Sequence, residues 1–144
     1  MRIAVVRTWN PLIAELMREA GSDEAWIHDE HELGIASWRK VNSLWIVAYD
    51  VKAESEDAMG KLRMVSVDGI GIISHVYTRP TYRTQGVATA MIKSAQAEFN
   101  RPVDKLLTAS VIPDSHSYKA FMKNGFIELT QPKNGEVLVA WKSR

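Results

Sequence analysis

The chain contains no cysteine. That excludes a disulfide framework, a thiolate metal centre and a cysteine nucleophile together. No apolar run approaches the length of a membrane span, and the opening residues Met-Arg-Ile-Ala-Val-Val-Arg-Thr carry no signal-peptide pattern. The expectation is a cytoplasmic protein with no membrane partner. Charge of one sign is also missing: the formal net charge is +1, which gives no strong pull towards nucleic acid or an anionic surface. Arg2, Arg7, Arg39 and Lys40 form no basic stripe, so nucleic acid is not indicated as a partner. No repeat, linker or low-complexity stretch divides the sequence.

What is present is the composition of a globular domain. At 144 residues, 46% hydrophobic and 24% charged, the chain suits one domain, 1–144, with a single full-sized core. The most informative stretch starts at residues 69–78, a β-branched, apolar run that reads as a buried strand. Arg79-Pro80 ends it, because proline has no N–H for the ladder. Val87, Ala88, Met91, Ile92, Ala95 and Phe99 then recur at helical spacing, with Lys93, Gln96 and Glu98 left outside. Arg83, Thr84, Gln85, Gly86, Val87 and Ala88 fall at the expected first turn of that helix. The first N–H groups of a helix have no internal partner and carry the positive end of its dipole. With Gly86 and Ala88 nearly bare and Arg83 adding a full charge, an anion such as a pyrophosphate fits such a turn; an ordinary strand-to-helix turn is the other reading.

The remaining elements follow from pattern. Arg2–Val6 reads as a short strand. Asn10 as cap and Pro11 at the first helical position start a helix with Leu12, Ile13, Leu16 and Met17 inward, stopped by Gly21. Ser22 or Asp23 caps a second helix through about Leu33. His28 and His31 share a face of that helix without an identifiable third ligand, so they read as a solvated polar face and no metal is expected. Residues 44–49 and 61–67 read as strands joined by the acidic hairpin loop 52–59. Beyond the break at Arg101-Pro102, residues 106–111 form a strand parallel to 69–78, because a helix crosses between them. Pro113-Asp114 starts a helix over 115–124, closed by Gly125, and 126–129 with 137–141 finish as a hairpin. The order is β-α-α-β-β-β-α-β-α-β-β.

The run 76–88, Val-Tyr-Thr-Arg-Pro-Thr-Tyr-Arg-Thr-Gln-Gly-Val-Ala, resembles the acetyl-CoA motif of the GNAT N-acetyltransferase superfamily. That motif has a strand ending near a proline, an aromatic before an arginine, and R-x-x-G-x-G/A opening a helix. Downstream, Ser117 followed by Phe121-Met122-Lys123-Asn124-Gly125-Phe126 is similar to the later helix of the family, which ends in Gly-Phe. Met59-Gly60-Lys61-Leu62-Arg63-Met64 resembles its third strand.

The resemblance implies an α/β GNAT-type domain whose two parallel strands splay to form an acyl-CoA cleft. It implies acetyl-CoA as co-substrate, with no metal, and an amine-bearing acceptor acetylated by direct attack. The alternative is a CoA-binding regulatory module with impaired turnover. Val76 and Thr78 would pair with the pantetheine arm, and the Val76 N–H would polarise the thioester carbonyl. Arg83, Thr84, Gln85, Gly86, Val87, Ala88 and Thr89 would take the pyrophosphate, with Asp114, Ser117 and Phe121 completing the cofactor set. Asp114 stands where the family often has asparagine, and a helix cap is its other reading. The tyrosine that serves many members as acid is Phe121 here; Tyr118, one turn earlier, either takes that role or packs with its hydroxyl at the surface. Positions that carry a base in some members are Ile72 and Ser74, and Ser74 can hold a water. His75 titrates in the right range, yet strand alternation points it away from Ser74 and Val76, under a helix. Trp26, His28, His31 and Trp38 are candidates to face the acceptor, with core packing the equal reading for either tryptophan. The oligomeric state is left open by the sequence, with a homodimer through sheet edges or the C-terminal hairpin as one arrangement.

Overall fold

The computed structural model describes residues 1–6, 15–16, 42–51, 57–67, 69–99, 106–130 and 133–143. Within them the chain runs β1 (Arg2–Val6), β2 (Asn42–Asp50), β3 (Asp57–Val67), β4 (Ile70–Thr78), α1 (Val87–Phe99), β5 (Leu106–Val111), α2 (His116–Lys123), β6 (Ile127–Glu128) and β7 (Val137–Lys142). The strands form one seven-stranded sheet in the order β1-β2-β3-β4-β5-β7-β6. β4 and β5 are parallel neighbours, as the helical crossover between them requires, and the other neighbouring pairs are antiparallel. This is the mixed α/β sheet expected from the sequence.

Both faces of the sheet are covered at β2, which explains why it is buried along residues 44–49 rather than at alternate positions. Leu44, Ile46 and Ala48 join Leu62, Met64 and Ile73 on the face packed by Val87, Met91, Ile92, Ala95 and Phe99 of α1 and by Ala120 and Phe121 of α2. Trp45, Val47 and Tyr49 face the other way, against Leu16 and Ala58. Gly71 fixes the seat of α1 on β4. A Cβ there would lie 2.7 Å from both Phe99 Cε1 and Leu107 Cδ1, so glycine lets the aromatic ring rest on the strand backbone.

Several boundaries differ from the sequence reading. β3 begins at Asp57, so Asp57, Ala58 and Met59 leave the expected hairpin loop and join the strand. The cause is tertiary. Arg79 N donates to Met59 O at 2.8 Å, and its guanidinium bonds Asp57 Oδ1 at 2.7 Å, Ala58 O at 3.1 Å and Glu15 Oε1 at 3.1 Å. The cap of α2 is Ser115, whose Oγ accepts from Tyr118 N at 3.1 Å; Asp114 sits before it at φ 63°. Of the two helices expected between residues 10 and 33, only Glu15 and Leu16 are among the described residues, and both are helical. The break at Arg101-Pro102 lies outside them. No helix among the described residues is long and apolar enough to cross a membrane.

Candidate active site

The site begins where two strands part. β4 and β5 hold register from Ile70 opposite Leu106 to Ile73 opposite Ala109. β4 then continues to Thr78 and β5 to Val111 without pairing. A bulge in β4 accompanies the parting. Against β3 the register passes from Arg63 opposite Ser74 to Lys61 opposite Tyr77, so Leu62 faces both His75 and Val76. His75 has φ 55°, in the left-handed region that the first residue of a G1-type bulge takes and that glycine usually fills. Such a bulge bends its strand and increases the local twist, which takes β4 away from β5. The gap is a cleft of about 300 Å³. Ser74, His75 and Val76 line one wall, Ala109, Ser110 and Val111 the other, and Ser115, Ser117, Phe121 and Glu136 close it. Phe121 is fully buried and meets Phe126 edge-on at 4.9 Å between ring centroids.

The turn expected to take an anion lies past the end of the same strand. A 3-10 turn at Pro80–Tyr82 follows Arg79, and Gln85 N donates to Tyr82 O at 3.2 Å. Ala90 N donates to Gly86 O at 3.0 Å, so Gly86 caps α1, and Arg83, Thr84 and Gln85 precede the helix instead of opening it. Gly86 has φ 73°, and among the described residues nothing lies within 4 Å of the place a Cβ would take. A glycine cap offers no side-chain oxygen to the first-turn N–H groups, and that turn holds no acidic residue. The helix start is therefore an open, positively polarised cradle. Arg83 is exposed, with Nε donating to Thr78 O at 2.9 Å and its guanidinium 5.7 Å from the Tyr77 ring centroid. Val87 and Ala88 are buried, and Thr89 O lies 3.4 Å from Asn124 Nδ2 at the end of α2.

Behind the bulge lies a residue that the sequence reading passed over. Lys61 is 1% exposed. Its Nζ donates to the His75 carbonyl and stands 5.9 Å and 6.0 Å from the Trp45 and Tyr77 ring centroids. Burial pushes its pKa down to about 7. Alternation through Lys61-Leu62-Arg63-Met64 looks like a half-exposed strand, but here the lysine-bearing face is covered too. The expectation for His75 is corrected by the same bulge. Its ring lies 6.3 Å from the Trp45 ring, on the face opposite α1, because the extra residue breaks the alternation.

The other expected residues divide by place. Ser74, Val76, Ser117 and Phe121 line the cleft. Thr78 is buried, and its Oγ1 has no hydrogen-bond partner among the described residues. Asp114 is exposed and is not among the lining residues. Tyr118 also stands outside the lining; its hydroxyl donates to Glu128 Oε1 at 2.5 Å. That hydrogen bond first, then partial desolvation and the charges of Glu128 and Asp114, raises its pKa above the ordinary value. Trp26, His28, His31 and Trp38 lie outside the described residues. Glu136 is a second group the sequence reading missed. Asn134 and Gly135 both take positive φ, 55° and 77°, in a tight turn that delivers Glu136 to the cleft, where its Oε2 accepts from Ser110 Oγ at 2.9 Å.

The family model described as an acetyltransferase (GNAT) domain matches residues 38–141. A search of curated proteins gave no significant match. Among solved structures, the chain is similar to the PaiA N-acetyltransferase of Thermoplasma acidophilum in complex with coenzyme A, at a TM-score of 0.72 and 16% identity over 99% of each chain. It is similar to the Campylobacter jejuni N-acetyltransferase PseH in complex with acetyl coenzyme A, at 0.64 and 14% over 99% of each chain. It is also similar to an aminoglycoside 6'-N-acetyltransferase complexed with coenzyme A, at 0.72 and 10% over 99% of this chain and 97% of that one. These likenesses concern the fold, and the family match spans most of the sequence. On that match, the chain with the parted β4–β5 pair belongs to the GNAT acetyltransferase family.

Proposed function

We propose that the protein transfers an acetyl group from acetyl-CoA to an amine by direct attack of the amine on the thioester. The observation that carries this reading is the end of β4–β5 pairing at Ile73 and Ala109, with the open, glycine-capped turn at Gly86 beyond the same strand. The cleft suits an extended arm pairing with the free edge of β4 at Val76 and Thr78, and the turn suits a pyrophosphate. Asp114, Ser117 and Phe121 belong to the α2 side of the same cofactor set in this reading. In the reaction the amine nitrogen bonds to the carbonyl carbon, the carbon–sulfur bond breaks, the thiolate takes up a proton and the nitrogen gives one up. The Val76 N–H would stabilise the charge that develops on the carbonyl oxygen. Ser74 would hold a water on the path of the departing amine proton, with His75, Tyr118 and the acceptor-facing Trp26, His28, His31 and Trp38 kept as further assignments.

Calorimetry with acetyl-CoA tests the binding half. Gly86→Glu puts a carboxylate in the open cradle and should weaken binding at least about tenfold, while Gly86→Ala controls for backbone strain without charge. A folded wild type that binds no acyl-CoA ends the proposal. One observation favours the second reading, a binding module without turnover: the hydroxyl of Tyr118 is engaged by Glu128. Acyl-CoA binding with no thiol release across primary amines, amino acids and peptides would select that module.

A further inference from the structure

We infer that Lys61 is a positioning residue for acyl transfer: by holding the His75 carbonyl, it aims the Val76 N–H into the cleft. The inference rests on the reading of the cleft as an acyl-CoA site.

The His75–Val76 peptide is trans, so its C=O and N–H point in opposite directions. Lys61 projects from the sheet face of Trp45 and Tyr77 and pins the oxygen there. The N–H is thereby directed away from that face, and Val76 lines the cleft. The regular register of the sheet is interrupted at this peptide. Val76 has no register partner on β3, where pairing passes from Ser74 to Tyr77, nor on β5, where it stops at Ile73. Donation to the carbonyl also polarises the amide and strengthens its N–H as a donor. The lysine is a costly choice for packing alone. Burying an amine is unfavourable, and a methionine would fill similar space without that cost. Among the described residues, Nζ meets the His75 oxygen and two aromatic rings.

The experiment compares the Val76 amide signal in wild type and Lys61→Met by NMR, with CoA and then acetyl-CoA. These ligands differ by an acetyl group in place of the thiol hydrogen. In wild type, acetyl-CoA should shift the Val76 amide proton beyond the shift caused by CoA. In folded Lys61→Met that acetyl-specific shift should vanish while the Kd for acetyl-CoA stays within about threefold. Lys61→Gln, which keeps a donor one atom shorter, should restore part of it. With an amine substrate in hand, kcat should fall about tenfold or more in Lys61→Met with little change in the KM for acetyl-CoA. An acetyl-specific shift that survives in Lys61→Met overturns the role of Lys61 and leaves the acyl-CoA site standing. A wild type that binds acetyl-CoA without any such shift overturns the assignment of the Val76 N–H, and Lys61 with it. A wild type that binds neither ligand ends the proposed function instead. Loss of folding in both variants makes the lysine a purely structural residue and overturns the inference as well.

Discussion

A lysine taken out of water carries its history in the pH dependence of stability. The pKa of Lys61 falls from 10.5 to about 7 on burial, so between those values the unfolded chain binds a proton that the folded chain does not. Its contribution to stability therefore rises with pH through that window, by up to about 1.4 kcal/mol per pH unit. Below about pH 7 the folded site is charged as well, and the full cost of burying the ammonium is present. Lys61→Met removes this dependence. Urea unfolding of both proteins at about pH 7.5 and pH 9.5 should show wild type gaining on the variant as pH rises. A constant difference between the two would show that the amine titrates alike in both states.

At the scale of elements, the junction of α1 with β4 sets the geometry of the cleft. Phe99 is buried against Gly71, and Thr108 Oγ1 donates to Gly71 O at 2.9 Å across the paired end of β4 and β5. The two strands are thus locked at residues 70–73 and free beyond them. Gly71→Ala would push a methyl into Phe99 and Leu107, and we expect a loss of about 1–3 kcal/mol with a displaced α1. Thermal unfolding reads the loss, and weaker acetyl-CoA binding reads the displacement. At the far end of β4, Arg79 performs the complementary task. Its bonds to Asp57, Ala58 and Met59 tie the strand end to the start of β3, and the Tyr82 hydroxyl lies 3.2 Å and 3.3 Å from the Asp57 and Asp50 carboxylates. The turn that leads into α1 is consequently mounted on an anchored strand end.

For the whole molecule, a sheet that opens along its middle leaves polar backbone without sheet partners between its two halves. A ligand that binds there and not to the unfolded chain stabilises the fold by mass action, about 2.7 kcal/mol at a concentration one hundred times its Kd. Acetyl-CoA should accordingly raise the Tm of wild type by several degrees at saturation, and Gly86→Glu should show little of that rise at the same concentration. A wild-type Tm unmoved by millimolar acetyl-CoA would argue against a cleft that takes the cofactor.

The sequence by itself determined the succession of the described strands and helices, the buried face of α1 and the glycine at its start, because each rests on local signals: residue periodicity, a proline stop, a glycine at a position of positive φ. The family resemblance came from the same run, 76–88, where local chemistry and fold coincide. Only the tertiary structure decided the rest. The bulge at His75 depends on how β4 pairs with β3, so strand alternation alone could not place this histidine beside Trp45. The start of β3 at Asp57 depends on an arginine 22 positions away, and the burial of Lys61 depends on the covering of a second sheet face. Glu136 reached the cleft through a turn and a strand that pairs with β5. Each of these is a contact between segments distant in the chain, and periodicity reports only which face of its own element a residue occupies, not what that face will meet.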